Sequence, residues 1–201
     1  LRYRIFRRIE VNMSTPSKRH ALIAAACLAA SPAAFAVDGV SFEFGKSNSS
    51  NASVTMYRLG MMWDWNKKLV DFGNWHIGGF WDLSLGYWDN KSPFQTAGYS
   101  TANLQEVGFT PTFRLQQNTI SGLAPYAEAA VGFHFLSQTY VGAQRVFGSS
   151  FQFGDHIGGG VRFGDKGQYD VGYRYQHLSN AGIKQPNQGI NYHILRLQYR
   201  F

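Results

Sequence analysis

Alternation of apolar and polar residues, with no helical period, predicts an all-β fold for this chain: an eight-stranded antiparallel transmembrane β-barrel of the outer membrane. Three observations carry the expectation. From Val40 onward, alternating segments are separated by Gly, Asn, Asp and Pro, and all 22 glycines lie after residue 36. The apolar faces of the segments end in Trp and Tyr, as the interfacial girdles of membrane barrels do. The opposing faces carry charges of both signs: Glu43, Arg58, Asp64, Asp82, Glu106, Arg114, Glu128, Arg162 and Arg174. Such charges can pair inside a narrow barrel, whereas a soluble protein would turn its apolar face inward.

The first 36 residues are expected to be removed. Met13 is followed by Lys18, Arg19 and His20, then by an apolar run at 21–30, then by Ala34-Phe35-Ala36. That order is the basic region, short apolar core and small-x-small cleavage site of a secretory signal. The run is shorter than the roughly 20 apolar residues that a membrane-spanning helix needs. Residues 1–12 thus read as an upstream extension, 13–36 as the signal peptide and 37–201 as the barrel domain. Residues 1–36 hold six of the 19 Lys and Arg and one of the 12 Asp and Glu, leaving 13 basic and 11 acidic groups. The excess positive charge is mostly a targeting feature, and nucleic-acid binding loses its main support. Cys27, the single cysteine, lies within the apolar run, so no disulfide is expected in the mature chain.

Eight strands are expected at about 39–46, 53–65, 75–88, 102–116, 123–137, 150–163, 168–178 and 190–201. In the third, Ile77, Trp81, Leu83, Leu85 and Tyr87 oppose His76, Asp82 and Ser84. The fifth sets Val131, Phe133 and Phe135 against Glu128 and His134. In the sixth, Asp155 falls on the outward face, which calls for a bulge or for a place near the rim. The seventh puts Tyr169, Val171, Tyr173, Tyr175 and His177 opposite Asp170, Gly172, Arg174 and Gln176. The eighth puts Leu195, Leu197, Tyr199 and Phe201 opposite Arg196, Gln198 and Arg200. Connections near 89–101, 138–149 and 179–189 are long and those near 117–122 and 164–167 short, the asymmetry of external loops against periplasmic turns. The 66–74 connection is longer, and the 47–52 loop shorter, than that scheme asks. The terminal Phe201, with aromatic and apolar residues alternating before it, is similar to the C-terminal signature that barrel proteins present to the outer-membrane assembly machinery.

The chemistry sits near the C-terminus. His177 and Ser179 are two residues apart, so on a strand they leave the same face. Asn191 opens the next strand, and a hairpin returns it beside them. A serine, an imidazole to take its proton and a polar group to hold the imidazole are the parts of a nucleophilic hydrolase. Parity points all three away from the lumen, at the level of the outer leaflet.

The run His177-Leu178-Ser179-Asn180-Ala181-Gly182, followed by Lys184-Gln185-Pro186-Asn187 and Gly189-Ile190, resembles the outer-membrane lipid A 3-O-deacylases, the PagL family. One position departs: the family usually has Glu where this chain has Asn191. The resemblance implies a serine esterase without a cofactor that removes the 3-O-linked acyl chain of lipid A. In that reading Ser179 is the nucleophile, His177 the base and Asn191 the group that orients it. The Asn180 side chain and the Gly182 N–H would hold the oxyanion. Its partners would be lipopolysaccharide in the outer leaflet and, through the Phe201 strand, the assembly machinery; a homodimer is left open. Asn191 also suits an outer-membrane phospholipase A-like site, for which a mature chain of this length is short. A small structural or adhesive barrel is the non-catalytic alternative. His156-Ile-Gly-Gly-Gly160 looks like a lipase oxyanion loop but sits mid-strand, where close packing explains the glycines. His76, His134, His156 and His193 lack metal-ligand spacing.

Overall fold

The alternating segments form eight long strands: β1 Gly39–Ser47, β2 Val54–Asp64, β3 Trp75–Asn90, β4 Leu104–Gln117, β5 Ala124–Leu136, β6 Phe151–Phe163, β7 Tyr169–Ser179 and β8 Ile190–Arg200. They are seen in a computed structural model that describes residues 36–48, 52–91, 102–142 and 145–201. The expected signal region and Cys27, and most of the connection after β3, lie outside the described residues. Each strand pairs antiparallel with the next in sequence. β1 and β8 pair as well, Gly39 opposite Arg200 and Ser47 opposite Tyr192. That pairing closes the sheet into a barrel, so every strand backbone finds its hydrogen bonds without water.

Both ends of the barrel chain meet at one rim, where Phe201 N–H donates to Asp38 O at 3.0 Å and Asp38 N–H to Met62 O at 2.9 Å. The short turns share this rim, which makes it the periplasmic one. Its exception, the 66–74 connection, is long because Val70–Asp71 forms a short extra strand against Ile77 and His76 of β3. At the opposite rim, Tyr140–Gly142 and Arg145–Val146 form a small ribbon within the β5–β6 connection.

Apolar residues face outward. Leu59, Leu85 and Ile157 are 65%, 63% and 67% exposed, although each lies within a strand. A water-facing surface would not carry them in continuous rows, and a hydrocarbon boundary does. The lumen holds the charges instead, in a connected lattice. Arg58 bridges Glu43 at 2.6 Å and Glu106 at 2.8 Å, and Arg114 bridges Glu128 and Asp170 at 2.7 Å each. Arg174 spans Glu43 and Glu128, and Arg196 pairs with Asp82. Buried charges persist because each has its counter-charge.

Toward the external rim the lattice gives way to an apolar plug that includes Met56, Trp88, Leu104, Phe147, Leu178, Ile190, Tyr192 and Ile194, all essentially inaccessible. Two sequence expectations are resolved within β6. Its register with both neighbours runs without a shift, so Asp155 occupies no bulge and lies outward, toward the external rim. The Gly158-Gly159-Gly160 run is explained by close approach. A Cβ would stand 2.4 Å from Tyr173 O at Gly158 and 2.3 Å from Val171 O at Gly160.

Candidate active site on the outer wall

The plug anchors the ends of β7 and β8. Leu178 and Ile190 are register partners and both are buried in it. Because strand side chains alternate, the residues flanking them must leave through the outer wall. The adjacent register pair is His177 with Asn191. His177, Ser179 and Asn191 are all half-buried on that outer face. His177 Nδ1 and Asn191 Oδ1 lie 2.5 Å apart, a hydrogen bond in which the ring N–H donates to the amide oxygen. This leaves Nε2 as the proton-accepting nitrogen. Among the described residues the Ser179 hydroxyl makes no hydrogen bond in this state.

Gly189 lets the loop pass over the imidazole. Its φ is +58°, and a Cβ there would come within 2.8 Å of His177 Cε1. The loop from 180 to 189 is organised by Asn180, which is fully buried. Asn180 Nδ2 donates to Phe147 O and Lys184 O at 2.7 Å each, and its Oδ1 accepts from Gly182 N–H at 3.0 Å. Asn180 N–H in turn donates to Asn187 Oδ1 at 3.0 Å. The two groups expected to hold an oxyanion are therefore already bonded, within the loop and to Phe147 of the β5–β6 connection. The ribbon braces the same loop: Val146 N–H donates to Gln188 Oε1 at 2.6 Å, and Arg145 donates to Gly189 O at 2.8 Å. Partial burial at that contact lowers the Arg145 pKa from its ordinary value.

On the other flank of β7, the register partner of His177 is Asp155 of β6. His177 and Asp155 edge a shallow outward groove of about 510 Å³, whose floor includes Phe113, Ala129, Val131 and Ile157. A polar cavity of about 280 Å³ at the periplasmic end, edged by Asp64, His76, Arg162 and Arg200, belongs to the lumen and lies away from this chemistry. Among the described residues no cluster of His, Cys, Asp and Glu is arranged to hold a metal ion.

A closed barrel with an outward Ser, His and Asn at one rim restricts the kind of protein this can be. The model of the family "Lipid A 3-O-deacylase (PagL)" matches residues 54–200, all but the first strand of the barrel. The chain belongs to that family. It is 38% identical over 139 residues to the lipid A deacylase PagL of Pseudomonas aeruginosa, covering 69% of this chain and 74% of that one. To the lipid A deacylase PagL of Bordetella bronchiseptica it is 30% identical over 170 residues, covering 81% and 83%. A crystal structure of the outer-membrane enzyme PagL superposes with a TM-score of 0.68 at 33% identity, covering 81% of this chain and 99% of that one. The chain is thus an outer-membrane barrel of the PagL family.

Sequence reasoning brought His177, Ser179 and Asn191 to one face, and the structure places all three there. It missed Asp155 as a neighbour of His177. The signal was present, since an acid on a lipid-facing row is unusual, but only the inter-strand register reveals what lies beside it.

Proposed function

We propose that this protein is an outer-membrane serine esterase that hydrolyses the 3-O-linked acyl chain of lipid A. The observation that carries the reading is the outward-facing His177–Asn191 hydrogen bond with Ser179 on the same row, in a member of this family. A nucleophile that faces lipid at the external rim meets the outer leaflet, whose acyl lipid is lipopolysaccharide.

Ser179 Oγ attacks the ester carbonyl while its proton passes to His177 Nε2. The tetrahedral intermediate collapses, the C–O bond to the sugar breaks, and the imidazolium returns the proton to the leaving sugar oxygen. Water then attacks the acyl-serine, His177 takes its proton and delivers it to Ser179 Oγ, and the free fatty acid departs. Asn191 keeps Nδ1 protonated and Nε2 available throughout. No hydrogen bond joins Ser179 to His177 in the resting protein, so the two close to hydrogen-bond distance as the ester enters, the tightening that resting sites commonly undergo. Oxyanion stabilisation by Asn180 Nδ2 or Gly182 N–H requires the turn after Ser179 to release one of its internal bonds when the ester enters. The groove floored by Ala129, Val131 and Ile157 gives the acyl chain an apolar bed beside His177.

The test is mass spectrometry of lipid A from cells expressing the full chain. Loss of one hydroxyacyl chain, absent with Ser179→Ala, supports the reading. Unaltered lipid A, or fatty acid released from glycerophospholipid instead, contradicts it.

A further inference from the structure

The paired charges of the lumen stop short of its periplasmic mouth. The cavity there, about 280 Å³, is edged by the ends of β2, β3, β4, β6 and β8 and by the 66–74 connection. Among the described residues its lining carries five Lys and Arg side chains but one acid, Asp64. Three of the cations have counter-charges: Arg200 pairs with Asp64, Arg114 with Glu128 and Asp170, and Lys68 with Asp71. Arg162 and the exposed Lys67 pair with no carboxylate among the described residues. Asp170 is the register partner of Arg162, yet its two oxygens accept from Arg114 at 2.7 Å and from Tyr126 at 2.6 Å. The Asp38 carboxylate is likewise turned aside, to the Asp64 N–H at 2.7 Å.

Neutral acceptors hold Arg162 in place instead. Its Nε and Nη2 donate to Gly167 O at 3.2 and 3.0 Å, and its Nη1 to Gln116 Oε1 at 3.3 Å. A guanidinium carries five N–H donors, so these bonds leave some of them unused. Gln116 turns its amide nitrogen to His76 Nε2 at 3.1 Å. There the amide donates, which leaves the imidazole proton on Nδ1, and Nδ1 is buried without a partner. The Nε of Arg200 is buried and unmet as well. The unmet buried side-chain atoms of this lining are thus N–H donors, beside two cations without counter-charges. Water can accept from the donors but cannot balance the charge.

We propose that the periplasmic mouth of the lumen binds a phosphate group, with Arg162 and Lys67 supplying the charge and the unmet N–H groups of Arg200 and His76 available to its remaining oxygens. A phosphate brings negative charge together with several strong acceptor oxygens, and a planar guanidinium takes two of these at once. Chloride offers no such directional match. The volume falls below the roughly 300–1,000 Å³ of sites for drug-sized ligands, which suits a headgroup or a small ester. Two sources present this chemistry at the periplasmic rim: phosphate esters in solution, and the headgroups of inner-leaflet phospholipids. The site stands apart from the esterase chemistry at the other rim, so either reading can fail without the other.

The experiment titrates inorganic phosphate into the purified, folded chain in an uncharged, phosphate-free detergent at fixed ionic strength, with binding read by calorimetry. A Kd of about 1 mM or tighter is expected, with chloride and acetate at least about tenfold weaker. Arg162→Gln should weaken phosphate by about tenfold or more, and Lys67→Gln by about threefold. Lys67 is exposed, so its variant tests the site even where Arg162→Gln does not fold. Lys166→Gln, on the neighbouring β6–β7 turn and outside the lining, should leave binding unchanged. Displacement of phosphate by glycerol 3-phosphate but not by phosphatidylglycerol in the micelle assigns the group to a solute; the reverse assigns it to a headgroup, and both support the site. No binding up to about 10 mM phosphate overturns the proposal. Equal binding of chloride or acetate, or a loss with Lys166→Gln as large as with Lys67→Gln, overturns it too.

Discussion

The inner and outer walls of β7 use polar residues under opposite rules. Inside, Asp170, Arg174 and Gln176 are buried and bonded within the lattice that ties Arg58, Arg114, Glu43 and Glu128 together. Outside, on the same strand, a row of aromatics gives way to His177 and Ser179, with Asn191 alongside and Asp155 across the strand. Inner charges exist to satisfy one another in a space too narrow to leave empty, and their loss is a matter of stability. Outer polar residues satisfy almost nothing in the resting protein, and nothing in the packing requires them. Polarity without a structural debt is what points to the outer rim as the proposed working surface.

Four substitutions break or sharpen that contrast. The largest effect is expected from Ser179→Ala, which removes the outer nucleophile and should cut acyl release by about a thousandfold or more while the barrel folds as before. Heat-modifiable migration on gels checks the fold, and lipid A mass spectra check the activity. Glu128→Gln should do the reverse. It strips Arg114 and Arg174 of a shared counter-charge, costing about 3–5 kcal/mol in unfolding free energy, with the folded fraction still active. Denaturant titration in bilayers, paired with an activity assay, separates the two readouts. Gly189→Ala touches no reacting group, yet its methyl would displace the His177 ring, and a fall in kcat of about tenfold is expected from the misplacement alone. The smallest effect, a gain of a few-fold in kcat, is expected from Asn191→Glu, which puts a full negative charge where the amide oxygen now accepts from His177. Steady-state kinetics on the same substrate measures it, and an unchanged or abolished rate would refute the role given to Asn191.

Most of the barrel could be read from the chain because a membrane barrel writes its inside and outside on alternate residues. Trp81, Leu85 and Tyr87 are outward and Asp82 and Ser84 inward, as their parity requires, and the strand limits fall within about two residues of those expected. The catalytic candidates were legible for the same reason: spacing two puts His177 and Ser179 on one row, and a hairpin brings back Asn191. What escaped depends on contacts between distant segments. Parity put Asp155 outside but could not say that the β6–β7 register would set it against His177. Nor could a loop motif show that Asn180 spends its amide on Phe147 and Lys184, because Phe147 arrives from the ribbon after β5. The ribbon itself, two pieces of two or three residues, is too short to leave a periodic signature.

The central claim is that Ser179, on the lipid-facing wall, is an alcohol activated by the His177–Asn191 pair. A fluorophosphonate bearing an acyl tail reacts with such a serine and marks it covalently, and peptide mass spectrometry locates the adduct. The account predicts a single adduct on Ser179, abolished by Ser179→Ala and strongly slowed by His177→Asn. An adduct on another residue, or labelling that persists undiminished in Ser179→Ala, would contradict it.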